Sequence, residues 1–233
     1  MQLFFAENIE SDFYTLPPEE SKHIVRVLRM QSGHTIHLTD GLGTLIRATI
    51  VDDNPKACQV QVVERTPDYG RRSFALHLAV APTKNTARLE WLLEKAVEMG
   101  VDTFTPIVCD HSERCVLKTE RMDKIVVSAM KQSLKTFKPV VNPPTPIRQL
   151  IAEPFDGQRF IAYCDGDIRT PLRNVYKPGS DALILIGPEG DFSPAEVTLA
   201  LSSGFSPVTL GPCRLRTETA ALAATAFFNL AND

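Results

Sequence analysis

The chain has 233 residues, 43% of them hydrophobic and 23% charged, with a net charge of −3. That length holds one large or two ordinary domains with a sizeable core, and the composition is that of a globular chain, not a disordered or fibrous one. No apolar run reaches membrane-spanning length, no basic-then-apolar leader opens the chain, and Cys58, Cys109, Cys115, Cys164 and Cys213 are odd in number and widely spaced, so a cytoplasmic protein with reduced thiols, no membrane partner and no metal is expected.

The first 70 residues read as mostly β. Strands are expected over Met1 to Phe5, Thr35 to Leu38, Thr44 to Val51 and Ala57 to Glu64, separated by Gly33, Asp40-Gly41 and Asn54-Pro55. Several short strands with turn signals point to a small barrel. Pro17-Pro18-Glu19-Glu20 opens a short helix through Leu28. On it Lys22, Arg26 and Arg29 are spaced by four and three, hence share one face, with His23 beside them. Such a face suits phosphates, although residues 1–70 hold 6 Lys/Arg against 10 Asp/Glu, net −4. A histidine alone would more often be structural; the cluster tips the reading toward RNA.

Thr66-Pro67-Asp68-Tyr69-Gly70 is the linker candidate, which divides the chain into 1–70 and 71–233. Beyond it the rhythm alternates. Phe74 to Val80 is a strand, and Thr86 to Met99 a helix stopped at Gly100, with Leu89, Leu92, Leu93, Ala96 and Val97 inward. Trp91 is read as a packing residue. Val101 to Val108 is a strand and Thr119 to Phe137 a long helix, with Met122, Ile125, Val126, Ala129 and Met130 inward. Residues 114–148 hold 8 Lys/Arg against 2 Asp/Glu, net +6, a local basic surface hidden by the total. Pro146 to Ile151 is a short helix and Arg159 to Cys164 a strand. Alternation of this kind implies a mostly parallel sheet covered on both sides.

Two stretches near the C-terminus carry the candidate chemistry. The continuous apolar run Asp181 to Ile186 ends in Gly187-Pro188-Glu189-Gly190, and Ser193-Pro194-Ala195-Glu196 is a capping box with proline at the first helical position. The second run, Ser206 to Leu210, ends in Gly211-Pro212-Cys213-Arg214-Leu215-Arg216-Thr217-Glu218-Thr219, before an alanine-rich helix from Ala220 to Leu230. Thr217 is placed to cap that helix, and Glu218 suits the positive end of its dipole. Strand ends followed by helix starts are where α/β folds hold ligands. The chain has no G-x-x-x-x-G-K-[ST], no G-x-G-x-x-G after its first strand and no G-x-S-x-G, so P-loop, dinucleotide and serine-hydrolase sites lack their motifs.

Both stretches resemble the cofactor loops of SPOUT methyltransferases, and the chain is similar to the RsmE family, which methylates N3 of a uridine in small-subunit (16S) ribosomal RNA. The resemblance extends to His23-Ile24-Val25-Arg26-Val27-Leu28-Arg29, to Lys84, Arg88, Glu90, Lys95, Glu98 and Gly100, and to Ala129 to Lys135. The departures are Asp191 for a second glycine, Met99 for a leucine, Lys131 and Lys135 for glutamate and arginine, and Cys213-Arg214 for arginine and an aliphatic.

The resemblance implies an α/β fold with a trefoil-knotted, mostly parallel sheet, a small PUA-like RNA-binding barrel over 1–70, S-adenosyl-L-methionine as cofactor, a homodimer, and 16S rRNA or the small ribosomal subunit as partner. It places the cofactor against Leu185, Ile186, Gly187, Pro188, Glu189, Gly190, Leu210, Gly211, Leu215, Arg216, Thr217, Thr219 and Ala220. RNA is expected at Lys22, His23, Arg26, Arg29, Lys84, Arg88, Lys131, Gln132 and Lys135. Uracil N3 is a weak nucleophile until its proton leaves. Glu189 and Glu218 are the candidate bases, and Arg214 and Arg216 the candidates to stabilise the imide anion. Glu218 reads equally as a helix-cap carboxylate, and Arg216 as its ion-pair partner. Two other classes stay open: an RNA-binding protein that keeps the fold without the chemistry, and a Rossmann-type nucleotide enzyme, which only the α/β rhythm supports.

Overall fold

The computed structural model describes residues 1–113, 117–163 and 170–233; Arg114, Cys115 and Cys164 lie outside them. In chain order the elements are β1 (Leu3–Phe5), β2 (Phe13–Thr15), α1 (Pro18–Lys22), β3 (Thr35–Thr39), β4 (Leu45–Asp52), β5 (Gln59–Thr66), β6 (Leu76–Val80), α2 (Thr86–Met99), β7 (Thr103–Val108) and α3 (Thr119–Gln132). There follow β8 (Val140–Val141), β9 (Thr145–Pro146), α4 (Ile147–Ala152), β10 (Gln158–Ala162), α5 (Leu172–Val175), β11 (Ala182–Ile186), α6 (Pro194–Ser202), β12 (Ser206–Val208) and α7 (Thr217–Leu230). The chain forms two compact units: Met1–Arg71 with Val127–Lys138, and Arg72–Val126 with Pro139–Asp233. The sequence division at residue 70 thus differs from the packing at 127–138.

In the first unit the strands order as β1-β3-β4-β5-β2, with β1 parallel to β3 and the other pairs antiparallel. Their inward residues, among them Phe4, Ile36, Leu38, Ile46, Ile50 and Val60, share a core with Leu16 and Ile24. β2 escapes sequence detection because it is three residues long and leaves Phe13 61% exposed. The expected linker is anchored: the Tyr69 N–H donates to the Gly43 carbonyl at 2.9 Å, and Thr136 Oγ1 donates to the Tyr69 carbonyl.

Two helices depart from expectation. α1 ends at Lys22, and His23–Val27 continues as a wider π-turn in which the Leu28 N–H reaches the His23 carbonyl. Arg29 then takes a φ of 56°, so α-helical spacing no longer sets the direction of its side chain. α3 stops at Gln132 instead of running to Phe137. Leu134 turns left-handed at φ 58°, and the Lys135 N–H closes on the Met130 carbonyl at 3.0 Å. Neither glycine nor proline marks that stop, which explains the overrun.

In the second unit, among the described residues, the sheet order is β12-β10-β11-β6-β7-β8, with β9 also on β7, and every pairing is parallel. All five residues of β11 are buried, as its unbroken apolar run requires. One side of the sheet packs Ala79, Ile107, Ile161, Leu183 and Leu185 against Ile147, Leu150, Val197 and Ala200. Tyr176 meets Phe228 of α7 edge-on, with centroids 4.8 Å apart. No helix among the described residues is long and apolar enough to cross a membrane.

A half-buried histidine on β6 gives the second unit an acid-sensitive point. Burial lowers the His77 pKa to about 4, and its Nε2 lies 2.7 Å from Thr105 Oγ1. The unfolded chain protonates this ring near pH 6.5, the folded chain only near pH 4. Between those values the unfolded state binds more protons, so stability falls as pH is lowered through that window. The difference in unfolding free energy between wild type and His77→Gln, followed from pH 7 to pH 4, is expected to shift steadily in favour of the variant.

Candidate active site

A parallel sheet brings the C-terminal ends of all its strands to one edge. Among the described residues, the segments 81–88 after β6, 109–113 after β7, 187–193 after β11 and 209–217 after β12 all follow from that edge. The two glycine-bearing loops singled out in the sequence meet there. Thr217 Oγ1 donates to the Gly187 carbonyl at 3.0 Å. This replaces the capping role expected for Thr217: Arg216 occupies the N-cap of α7 with no side-chain cap bond, and Thr217 lies inside the helix.

The loop backbones have unused donors. The N–H groups of Glu189, Gly190, Gly211 and Leu215 have no partner among the described residues. Gly211 sits at φ +140°, a region that L side chains rarely adopt. Leu185 and Ile186 are buried in the sheet, Leu185 within the core, while Leu210 and Leu215 are half-buried. Pro188 is buried, Ala220 half-buried, and Gly190, Arg216 and Thr219 exposed.

The charged candidates divide by environment. Glu218 is 7% exposed, and Arg88 Nη1 lies 3.7 Å from its Oε1. Arg88, expected on RNA, therefore faces a candidate base, and the alternative partner Arg216 does not. Glu189 is exposed, with Oε1 3.4 Å from the Lys84 backbone nitrogen. The Lys84 ammonium pairs with Glu113, whose hydrogen bond raises its pKa. Arg214 and Arg216 are exposed, with no carboxylate partner among the described residues.

Asp191, the departure from a second glycine, has a local explanation. Its φ is 62°, the left-handed region where Asp is tolerated better than most residues. Its Oδ1 accepts the Phe192 N–H at 2.8 Å. Asp191→Ala keeps the strained backbone and loses the bond, so urea unfolding should show a loss of about 1 kcal/mol, with Asp191→Gly closer to wild type.

Sequence reading missed the residues behind the first loop. Glu196 is fully buried: its Oε2 accepts the Ser193 N–H and its Oε1 the Asp110 N–H, each at 2.8 Å. The capping box was legible; the third bond was not, because Asp110 lies 86 residues away. Ser193 Oγ donates to Asp110 Oδ2 at 2.6 Å, and His111 Nδ1 lies 3.1 Å from the Gly190 carbonyl and 2.9 Å from that of Asp191.

In the first unit Lys22, His23, Arg26 and Arg29 are exposed, and the His23 ring stands edge-on to Phe4. Gln132 is exposed and Lys135 half-buried. Lys131 is different. Its ammonium bonds Glu20, with side chains only 23% and 12% exposed. It neutralises a carboxylate and is not a free cation. Lys131→Ala is expected to destabilise by about 2 kcal/mol in urea unfolding, because it strands Glu20.

A family model for an RNA methyltransferase domain matches residues 71–229, and one for an RNA methyltransferase PUA domain matches residues 16–63. Fold and site thus define an RNA methyltransferase-type α/β domain preceded by a PUA domain. Ribosomal RNA small subunit methyltransferase E of Bacillus subtilis is 30% identical over 242 residues, covering 95% of this chain and 93% of that protein. The chain belongs to the ribosomal RNA small subunit methyltransferase E family. A probable rRNA-methyltransferase from Porphyromonas gingivalis shares 46% identity and a TM-score of 0.93, over 100% of this chain and 98% of that one. The Neisseria gonorrhoeae member, bound to S-adenosyl methionine, shares 27% identity and a TM-score of 0.87, over 100% and 98%.

Proposed function

We propose that this chain is an S-adenosyl-L-methionine-dependent methyltransferase acting on N3 of a uridine in 16S ribosomal RNA. The observation that carries the reading is the bond from Thr217 to the Gly187 carbonyl, which joins two loops with unused backbone N–H groups at the ligand-binding edge of a parallel sheet. The full-length likeness to a relative bound to S-adenosyl methionine supports it. Gly187 to Gly190, Leu210, Gly211, Leu215, Arg216, Thr217, Thr219 and Ala220 would hold the cofactor, which would supply a methyl group already activated on a sulfonium. Leu185 and Ile186 contribute through their backbone.

Glu218 takes the N3 proton. It is shielded from bulk water, and Arg88 at 3.7 Å steadies it without a hydrogen bond. Arg216, with Arg214 in the same loop, faces the imide anion. Glu189 orders the loop through Lys84. Residues 1–70 form the RNA-binding domain, with Lys22, His23, Arg26 and Arg29 on phosphates; Gln132 and Lys135 serve the target strand. The loops form a trefoil knot, the protein works as a homodimer in the cytoplasm, and its substrate is the assembled small subunit.

Mass mapping of 16S rRNA from a deletion strain should show one methyluridine missing, restored by the gene. An unchanged pattern would refute the substrate. Calorimetry with S-adenosyl-L-methionine tests the cofactor separately.

A further inference from the structure

We propose that His111 is a positioning residue for the loop Gly187–Asp191, and that it sets the affinity for the methyl donor from outside the donor's own contacts. The inference rests on the reading above. Both neighbours of Nδ1 are carbonyl oxygens, those of Gly190 at 3.1 Å and Asp191 at 2.9 Å. Carbonyls only accept, so Nδ1 carries the proton and donates to both. At the other end of the loop the Gly187 carbonyl is held by Thr217. The loop is therefore tied at both ends, and the Glu189 and Gly190 N–H groups lie between the ties.

His111 stands on a rigid base. The Cys109 N–H donates to Ser112 Oγ and the Ser112 N–H returns to the Cys109 carbonyl, both at 2.9 Å. The Cys109 side chain sits in the core. The Asp110 N–H is fixed by the buried Glu196 carboxylate, and Asp110 Oδ2 accepts from Ser193 Oγ at 2.6 Å, with Arg148 Nη2 at 3.7 Å. Packing adds to the hydrogen bonds. A Cβ on Gly190 would lie 3.2 Å from His111 Cβ, so glycine there lets the loop close on the histidine. A loop held in its bound shape spares the ligand the cost of ordering it. Removing the latch should weaken binding without touching the methyl-transfer step.

The experiment compares full-length wild type, His111→Ala and His111→Asn, whose amide nitrogen can donate from near the Nδ1 position. Calorimetry with S-adenosyl-L-methionine should give a dissociation constant raised about tenfold in His111→Ala and restored to within about threefold in His111→Asn, the scale expected for one shared hydrogen bond. The kcat at saturating donor should be unchanged in both. Hydrogen exchange on the donor-free proteins should be faster at residues 190–192 in His111→Ala and recover in His111→Asn. Equal affinity of His111→Ala and wild type, or no rescue by asparagine, overturns the role. A wild type that binds no donor sinks the functional reading instead; unchanged exchange in His111→Ala then sinks the latch on its own.

Discussion

Glu196→Ala should cost the second unit about 4 kcal/mol, read as a drop in urea midpoint at constant slope. The substitution strands two backbone N–H groups, those of Asp110 and Ser193, each held at 2.8 Å by a carboxylate that is fully buried. A hydrogen bond to a charged group contributes about 1.5–3 kcal/mol, and an orphaned buried donor is costly in itself. The capping box of α6 is lost with it. Ser193→Ala, which leaves Glu196 and both N–H donors in place, should cost only about 1–2 kcal/mol. Equal losses in the two variants would show that the carboxylate is not the centre of the network.

Glu218→Gln should lower kcat by about a hundred- to ten-thousandfold while leaving donor affinity within a few-fold of wild type. General-base removal has effects of that order. Glutamine keeps the size of the side chain at the start of α7, so the fold should be retained. The rate lost should return in part as pH is raised, because uracil N3 then sheds its proton without help. Glu189→Gln should have a much smaller effect, since that side chain is exposed and bonded only weakly, at 3.4 Å from the Lys84 nitrogen. If Glu189→Gln were the more damaging change, the proton acceptor would be Glu189.

Much of the second unit was legible because its cues are local. The run at 182–186 is buried on both faces, α2 spans Thr86–Met99 and stops at Gly100, and Ser193 with Glu196 forms the expected box. What escaped depends on partners distant in sequence. Arg88 reads as a free cation until Glu218, 130 residues on, is found beside it; Lys131 reads so until Glu20 is found. Thr217 reads as a cap because its neighbourhood matches one, yet its hydroxyl is spent on Gly187. The turn at Leu134 and the π-turn at His23–Val27 carry no glycine or proline to announce them. His111 was silent because it belongs to no motif; only the sheet edge brings it to Gly190.

The order of the sheet also governs when the second unit can be completed during synthesis. β6 pairs on one side with β7, which follows it closely, but its other neighbour is β11, about a hundred residues later. A nascent chain emerging N-terminus first thus carries an open, apolar β6 edge until residues 182–186 leave the exit tunnel. Distant pairings of this kind close slowly and expose sticky intermediates meanwhile. Truncations ending before Ala182 should therefore be poor folders and good chaperone clients, whatever chemistry the finished enzyme performs.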